Sequence, residues 1–200
     1  MQSAIEQFRI SISRVRDLIA VYNFVKAQTT SVLDLSDILR AALVLAVSAL
    51  DYYVHEVVRI GMLEIHREQR PESSAFCRFQ IALGSARQPL NVQQNTDSWL
   101  EDEIRERHGY KSFQQPDSIA DAIRLISDKK LWEEVAVNMS RTAKDIKDEL
   151  RLIVDRRNKI AHEADLDPTY PGSRWSIDDI SVKEAVEFIE QVVESIHNIL

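Results

Sequence analysis

The stretch LRAALVLAVSALDYYVHEVVRIGMLEIHRE, residues 39–68, decides what this chain can become. It meets no proline until Pro71, and its first half is apolar almost all round. A helix that is apolar on every side has to be enclosed by other elements. At 1.5 Å per residue it makes a rod roughly 50 Å long, so the pattern predicts a buried central helix. Asp34 or Ser36 is placed to cap its start. The most apolar segment, AALVLAVSAL at 41–50, is too short to span a bilayer and is bracketed by Arg40 and Asp51.

The remaining segments supply the partners such a rod needs. Ile5, Phe8, Ile12, Val15, Ile19 and Tyr22 recur in alternating steps of three and four and form one stripe on a helix over 2–28. PESSAFCRFQIALGSA, residues 71–86, reads as a short helix, and ARQPLNVQQNTD, residues 86–97, as a polar loop. Thr96 or Asp97 is placed to cap SWLEDEIRERH, which Gly109 ends. Pro116, Asp117 and Ser118 open another helix, and DKKLWEEVAVNM holds a short one. A helix starting at Ser140 or Thr142 carries the motif discussed below. After a loop over 165–180 the last helix starts at Ser181, with Glu184 completing a capping box. With 4 glycines, 5 prolines and no convincing strand, the expected fold is an all-α bundle around a long central helix.

Two hundred residues suit one domain over 1–200, with a less regular insertion around 70–116. The net charge of −7 confines any nucleic-acid site to a local basic patch. Cys77 is the single cysteine, which forbids an internal disulfide and suits an intracellular protein. MQSAIEQFRISISRVR has charges spread through it and no apolar signal core. The expectation is a soluble cytoplasmic protein with no membrane partner.

The chemistry-bearing stretch is RLIVDRRNKIAHEAD, residues 151–165. Asn158 and His162 are four apart and share a helix face, as do Asp155 and His162. Arg157 and His162 are five apart, about 140° around an ideal helix. One straight helix therefore does not aim both at one small ligand. Either the helix unwinds near Ala161, or a second copy of the chain completes the site across a two-fold seam. The residue types suit phosphodiester chemistry. Histidine gives and takes a proton near neutral pH. Arginine offers a fixed donor fork to phosphate, and an Asn amide orients an imidazole or a phosphate oxygen. His55, His66, His108 and His197 show no ligand spacing with cysteine or paired carboxylates, so no metal or other cofactor is expected. On spacing alone, basic residues in a last helical turn favour a solvated, dipole-compensating helix end over a catalytic site.

RRNKIAHEAD closing a helix, then a Pro-containing loop and a final amphipathic helix, resembles the HEPN superfamily. Its mark is an arginine, four to six residues, then a histidine, often with a polar residue directly after the arginine. Arg157-Asn158-Lys159-Ile160-Ala161-His162 fits with a gap of four, and Arg156 fits with five. Arg157 is preferred because Asn158 then holds the polar position. DILRAALVLAVSALDYYVHEVV, SFQQPDSIADAIRLISDKKLWEEVA and RRNKIAHEADLDP together are similar to the RiboL-PSP-HEPN group over roughly residues 30–195.

The resemblance implies a helical homodimer in which two Arg…His motifs face each other. It also implies a metal-independent ribonuclease, of the kind found in toxin–antitoxin, abortive-infection and phage-defence systems. RNA is then the substrate, and an antitoxin or another defence-system component a partner. A ribose 2′-OH attacks the adjacent phosphate and leaves a 2′,3′-cyclic phosphate. His162 is implied as the acid/base, Arg157 as the phosphate ligand and Asn158 as the orienting group. The alternative within the family is a non-catalytic module binding RNA, a nucleotide or a protein. Outside it stands a purely structural dimerisation bundle.

Supporting roles are read beside their bland counterparts. Arg40 and Asp51 are eleven apart, so both face one way. Asp51 either holds Arg157 or His162, or pairs with Arg40 to set helix register. Arg156 and Lys159 either add phosphate contacts or solvate the helix end. Tyr52, Tyr53 and Trp175 either stack on bases or pack. Glu163 and Asp165 oppose a phosphate unless they cap or face away.

Overall fold

The structure is a computed structural model, and it describes residues 1–30, 33–82, 84 and 97–200. Among the described residues seven α-helices follow one another: α1 (Gln2–Gln28), α2 (Ser36–His66), α3 (Ser98–His108), α4 (Pro116–Ile123), α5 (Leu131–Met139), α6 (Ala143–His162) and α7 (Asp179–Ile199). The only pairing outside helices there is one isolated antiparallel bridge, Leu166 with Arg174. The all-α expectation holds.

The central rod is α2, which packs against α1, α3, α4, α6 and α7. By length and composition it is apolar enough to cross a membrane, but one broad face of it, with Leu39, Ala46, Val47, Leu50, Tyr53, Val54, Val57 and Met62, is buried inside the bundle. The expected all-round burial is not met, since Ala41, Leu45, Ser48 and Tyr52 on the opposite side are exposed. The α1 stripe from Ile5 to Tyr22 is buried against it throughout. Tyr53 lies in the same core, edge-on to Phe8 at 5.9 Å between centroids, with its phenol pushed up by burial. It is a packing residue and does not present a face to a base.

Three local readings change. Residues 71–86 form no α-helix in their described part, only a 3-10 turn at Phe76–Arg78. Ser73 directs that turn: its hydroxyl donates to the Leu125 carbonyl at 2.9 Å and accepts from the Phe76 N–H at 3.0 Å. The last helix starts at Asp179, and Asp178 caps it, accepting from the N–H groups of Ile180 and Ser181 at 3.0 and 2.9 Å. The Asx cap outcompetes the Ser181–Glu184 box because its carboxylate reaches two orphan donors at once. At the start of α2, Asp34 accepts from the Ser36 N–H at 2.9 Å just ahead of the helix, whose N-cap position is Leu35. Thr142 does cap α6, taking the Asp145 N–H at 3.1 Å. The polar loop read over 86–97 lies outside the described residues except for Asp97.

Gly61 marks the closest approach to α2. A Cβ there would stand 2.7 Å from Ile126 Cγ2 and 2.9 Å from Ile126 Cβ, in a side chain that is itself buried. Glycine to alanine in an open helix stabilises by roughly 1 kcal/mol. Here overpacking reverses the sign: Gly61→Ala should destabilise by about 1–3 kcal/mol. Urea denaturation of Gly61→Ala, Ile126→Ala and the double variant checks this, the two changes together costing less than the sum of their separate costs.

Candidate functional site

The site is built where α6 ends. Ile146, Leu150 and Val154 bury one face of this helix, and Arg157, three residues on, continues that face as the core gives way to solvent. The helix stays regular through His162. The unwinding near Ala161 that would let Arg157 and His162 converge within one chain does not occur. At Ala164 and Asp165 the chain turns back through two successive left-handed residues, φ 51° and 57°. The Glu163 and Asp165 N–H groups both donate to the Lys159 carbonyl at 3.0 Å, closing the helix end.

Asp165 is the pivot of this turn. Its side chain is almost fully buried, at 1% exposure, between two guanidinium groups. Arg40 Nε on α2 donates to Oδ2 at 2.7 Å, and Arg156 Nη2 donates to the same oxygen at 2.9 Å. Arg156 Nη1 lies 2.9 Å from Oδ1 in ionic contact, without hydrogen-bond alignment. Both arginines also donate to the Trp175 carbonyl, at 2.8 and 3.2 Å, and Arg156 reaches the Ser176 carbonyl at 3.1 Å. Burial pulls the Arg156 guanidinium below its ordinary range, and Asp165 opposes that pull. Arg40 and Asp51 therefore form no register-setting pair: Arg40 belongs to Asp165, and Arg156 is committed within the chain.

Asp51 sits elsewhere. It accepts from the Phe113 N–H at 2.6 Å and from Gln114 Nε2 at 3.1 Å. The next residue, Gln115, donates to Asp155 at 3.2 Å. Asp51 thus pins the α3–α4 connection and meets α6 only through that connection, with no contact to Arg157 or His162.

Arg157 differs from its neighbour. Its Nη1 donates to Asn158 Oδ1 at 3.1 Å, its Nε is buried without a hydrogen-bond partner, and among the described residues no carboxylate pairs with it. His162 is the last residue of α6 and is exposed. Lys159 lies over the Trp175 ring, 5.2 Å from its centroid, so that ring face is covered. Among the described residues no three His, Cys, Asp or Glu side chains stand close enough to hold a metal ion.

A second polar cluster escaped sequence reasoning. His108 on α3 is buried, 5.4 Å from the Phe113 ring, which stacks at 4.5 Å on His55, itself 3.7 Å from Asp51. Burial chiefly, helped by Lys111 and His55, pulls the His108 pKa down to about 4. The only signal for it was a histidine near the end of a short amphipathic helix, which specifies no partner.

The all-α fold with its Arg…His motif places the chain in the HEPN class. The RiboL-PSP-HEPN family profile matches residues 9–200, and the chain belongs to that family. No curated protein and no solved structure matches it.

Two outcomes follow. Asp165→Ala leaves two buried or half-buried guanidinium groups unmatched and should cost about 3 kcal/mol or more in chemical denaturation. His108 has a folded pKa below its unfolded value, so between about pH 6.5 and about 4 the unfolded chain holds the extra proton. Its contribution is intact above that window and lost as pH falls through it. Stability of His108→Phe, measured against pH, should lack that part of the acid decline.

Proposed function

We propose that the α6 end is the half-site of an HEPN endoribonuclease that cleaves RNA without a metal and works as a two-fold dimer. The observation that carries this is the division between the two arginines. Arg156 is held by Asp165 and two backbone carbonyls, whereas Arg157 has among the described residues only Asn158 as partner. This supports the register with four residues between arginine and histidine, because Arg157 is the guanidinium left to bind a phosphate.

In this reading Arg157 takes the scissile phosphate and offsets charge developing on its oxygens. Asn158 fixes the guanidinium through its amide oxygen. One His162 removes the proton of the 2′-OH, whose oxygen attacks phosphorus. The bond to the 5′-oxygen breaks, and the partner copy's imidazole returns a proton to that leaving oxygen. The products are a 2′,3′-cyclic phosphate and a 5′-OH. Helix geometry supports the need for a second copy, since an unbroken α6 turns Arg157 and His162 about 140° apart. An exposed stripe on α2, Ala41, Leu45, Ser48 and Tyr52, with Leu45 and Tyr52 about half exposed, supports the same reading. The second reading, a binding module without chemistry, draws support from the acids beside His162 and the net charge of −7. An antitoxin or defence-system partner and a cytoplasmic location belong to the same proposal.

The test is incubation of wild type, His162→Ala, Arg157→Ala and Arg156→Ala with mixed single-stranded RNA in EDTA. The first two substitutions should each lower the cleavage rate by roughly 100-fold or more, with helicity and dimer mass unchanged. Arg156→Ala should instead lower thermal stability. Cleavage by His162→Ala at the wild-type rate would refute the catalytic reading, and RNA binding without any cleavage would select the binding module.

A further inference from the structure

A groove of about 420 Å³ opens between α4, α5, the start of α6 and the 3-10 turn. Five cations line it, Arg78, Arg124, Lys129, Lys130 and Lys147, against two acids, Asp128 and Glu133. That excess is out of keeping with a chain of 25 basic and 32 acidic residues. Several of the charges are internally engaged. Arg124 pairs with Asp121, Lys130 with Glu133 at 3.3 Å, and Lys129 donates to the Ile199 carbonyl at 2.6 Å. Asp128 accepts from the Ser74 N–H at 3.1 Å. Among the described residues Arg78 and Lys147 pair with no carboxylate. The floor includes Trp132, whose indole N–H is committed to the Pro116 carbonyl at 2.9 Å.

The groove is not isolated from the α6 end. Lys144, Lys147, Arg151, Asp155, Asn158 and His162 follow each other in steps of three or four, so they occupy one face of α6. All but Asp155 are cationic or able to donate a hydrogen bond. Three acids lie along this line, and each is engaged: Asp155 accepts from Gln115, and Arg151 pairs with both Asp148 at 3.0 Å and Asp117 at 3.4 Å. The path from Lys147 to His162 is roughly 22 Å along the helix axis. A stacked strand carries about six phosphates over that length.

We propose that this groove and the α6 face leading from it bind the sugar-phosphate backbone of single-stranded RNA away from the scissile bond, so that the substrate is an extended strand held over several nucleotides. The proposal rests on the reading of the α6 end as an RNA-cleaving site and adds the length and strandedness of its substrate. The recognition is electrostatic and blind to base identity, because the groove offers cations on long side chains and no free aromatic face.

The experiment measures binding in the His162→Ala background, where cleavage does not interfere. Fluorescence anisotropy in EDTA compares this parent with Arg78→Glu/Lys147→Glu, and with Arg124→Ala/Lys130→Ala as a gentler second variant. The probes are a single-stranded RNA of about twelve nucleotides and a dinucleotide. The charge-reversed variant should weaken binding of the longer RNA about tenfold at 0.1 M salt and lower its salt slope by about 1.4. The second variant should move both in the same direction, and dinucleotide affinity should change far less. Among the described residues neither altered residue of the first variant has an ion-pair partner, and circular dichroism checks that helicity is kept. Affinity for the longer RNA within about twofold of the parent in both variants overturns the proposal. So does an equal loss for dinucleotide and long RNA, or competition by inorganic phosphate as effective as by RNA, which would make the groove an anion site only. The nuclease reading fails separately, by absence of cleavage in wild type, and leaves the binding result standing.

Discussion

The buried carboxylate of Asp165 organises the end of α6, where the Arg…His motif lies. It joins three segments distant in sequence: the first turns of α2 through Arg40, the last turns of α6 through Arg156, and the return loop through its own backbone. Taking one carboxylate and two guanidinium groups out of water is costly, and such clusters are weak contributors to net stability. Their effect is geometric. With Arg156 and Arg40 both drawn to Asp165 and the Trp175 carbonyl, α6 cannot rotate about its axis without breaking several charge-assisted bonds. The direction in which Arg157, Asn158 and His162 leave the helix is set by that restraint. The left-handed geometry at Ala164 and Asp165 is held by the same contacts, in keeping with strain that surrounding structure over-determines.

What was legible in the sequence is what repeats locally. The α1 stripe, the long apolar α2 and the α7 stripe follow from steps of three and four, and each is buried as that spacing requires. The illegible parts are those decided by a partner far along the chain. Residues 40 and 165 are 125 positions apart, and no period connects them. Asp51 looked like a partner for a charge because it shares a face with Arg40, yet a backbone N–H at Phe113 and an amide at Gln114 satisfy it. Spacing cannot foresee a loop delivering donors. The cap at Asp178 was missed for a simpler reason: Asp178 and Ser181 both make good N-caps, and only the actual entry of the loop chooses between them.

The doubt between Arg156 and Arg157 shows how structure adds to a motif. Both satisfy the family's spacing, and adjacent helical residues point about 100° apart. One therefore faces the return loop while the other continues the face of Ile146, Leu150 and Val154. The guanidinium that faces the loop meets Asp165 and becomes structural. The other, with its Nη1 on Asn158, has no carboxylate partner among the described residues. A motif of the form Arg–x–His thus acquires chemical meaning only once the acids that consume arginines are located.

The same reasoning applies to net charge. A total of −7 speaks against polyanion binding only if the acids face the polyanion. Here many of them are neutralised in place: Glu194 and Glu190 hold Arg9 and Arg16 across the α1–α7 seam, and Glu56 and Glu101 hold Arg59. Of the two acids that follow His162, Asp165 is buried between two cations, whereas Glu163, the nearer, is exposed. Charges neutralised at contact distance project little field beyond a Debye length of about 8 Å at physiological salt. The field at the α6 end is then set by the unmatched groups within that range, among the described residues Arg157 on one side and Glu163 on the other.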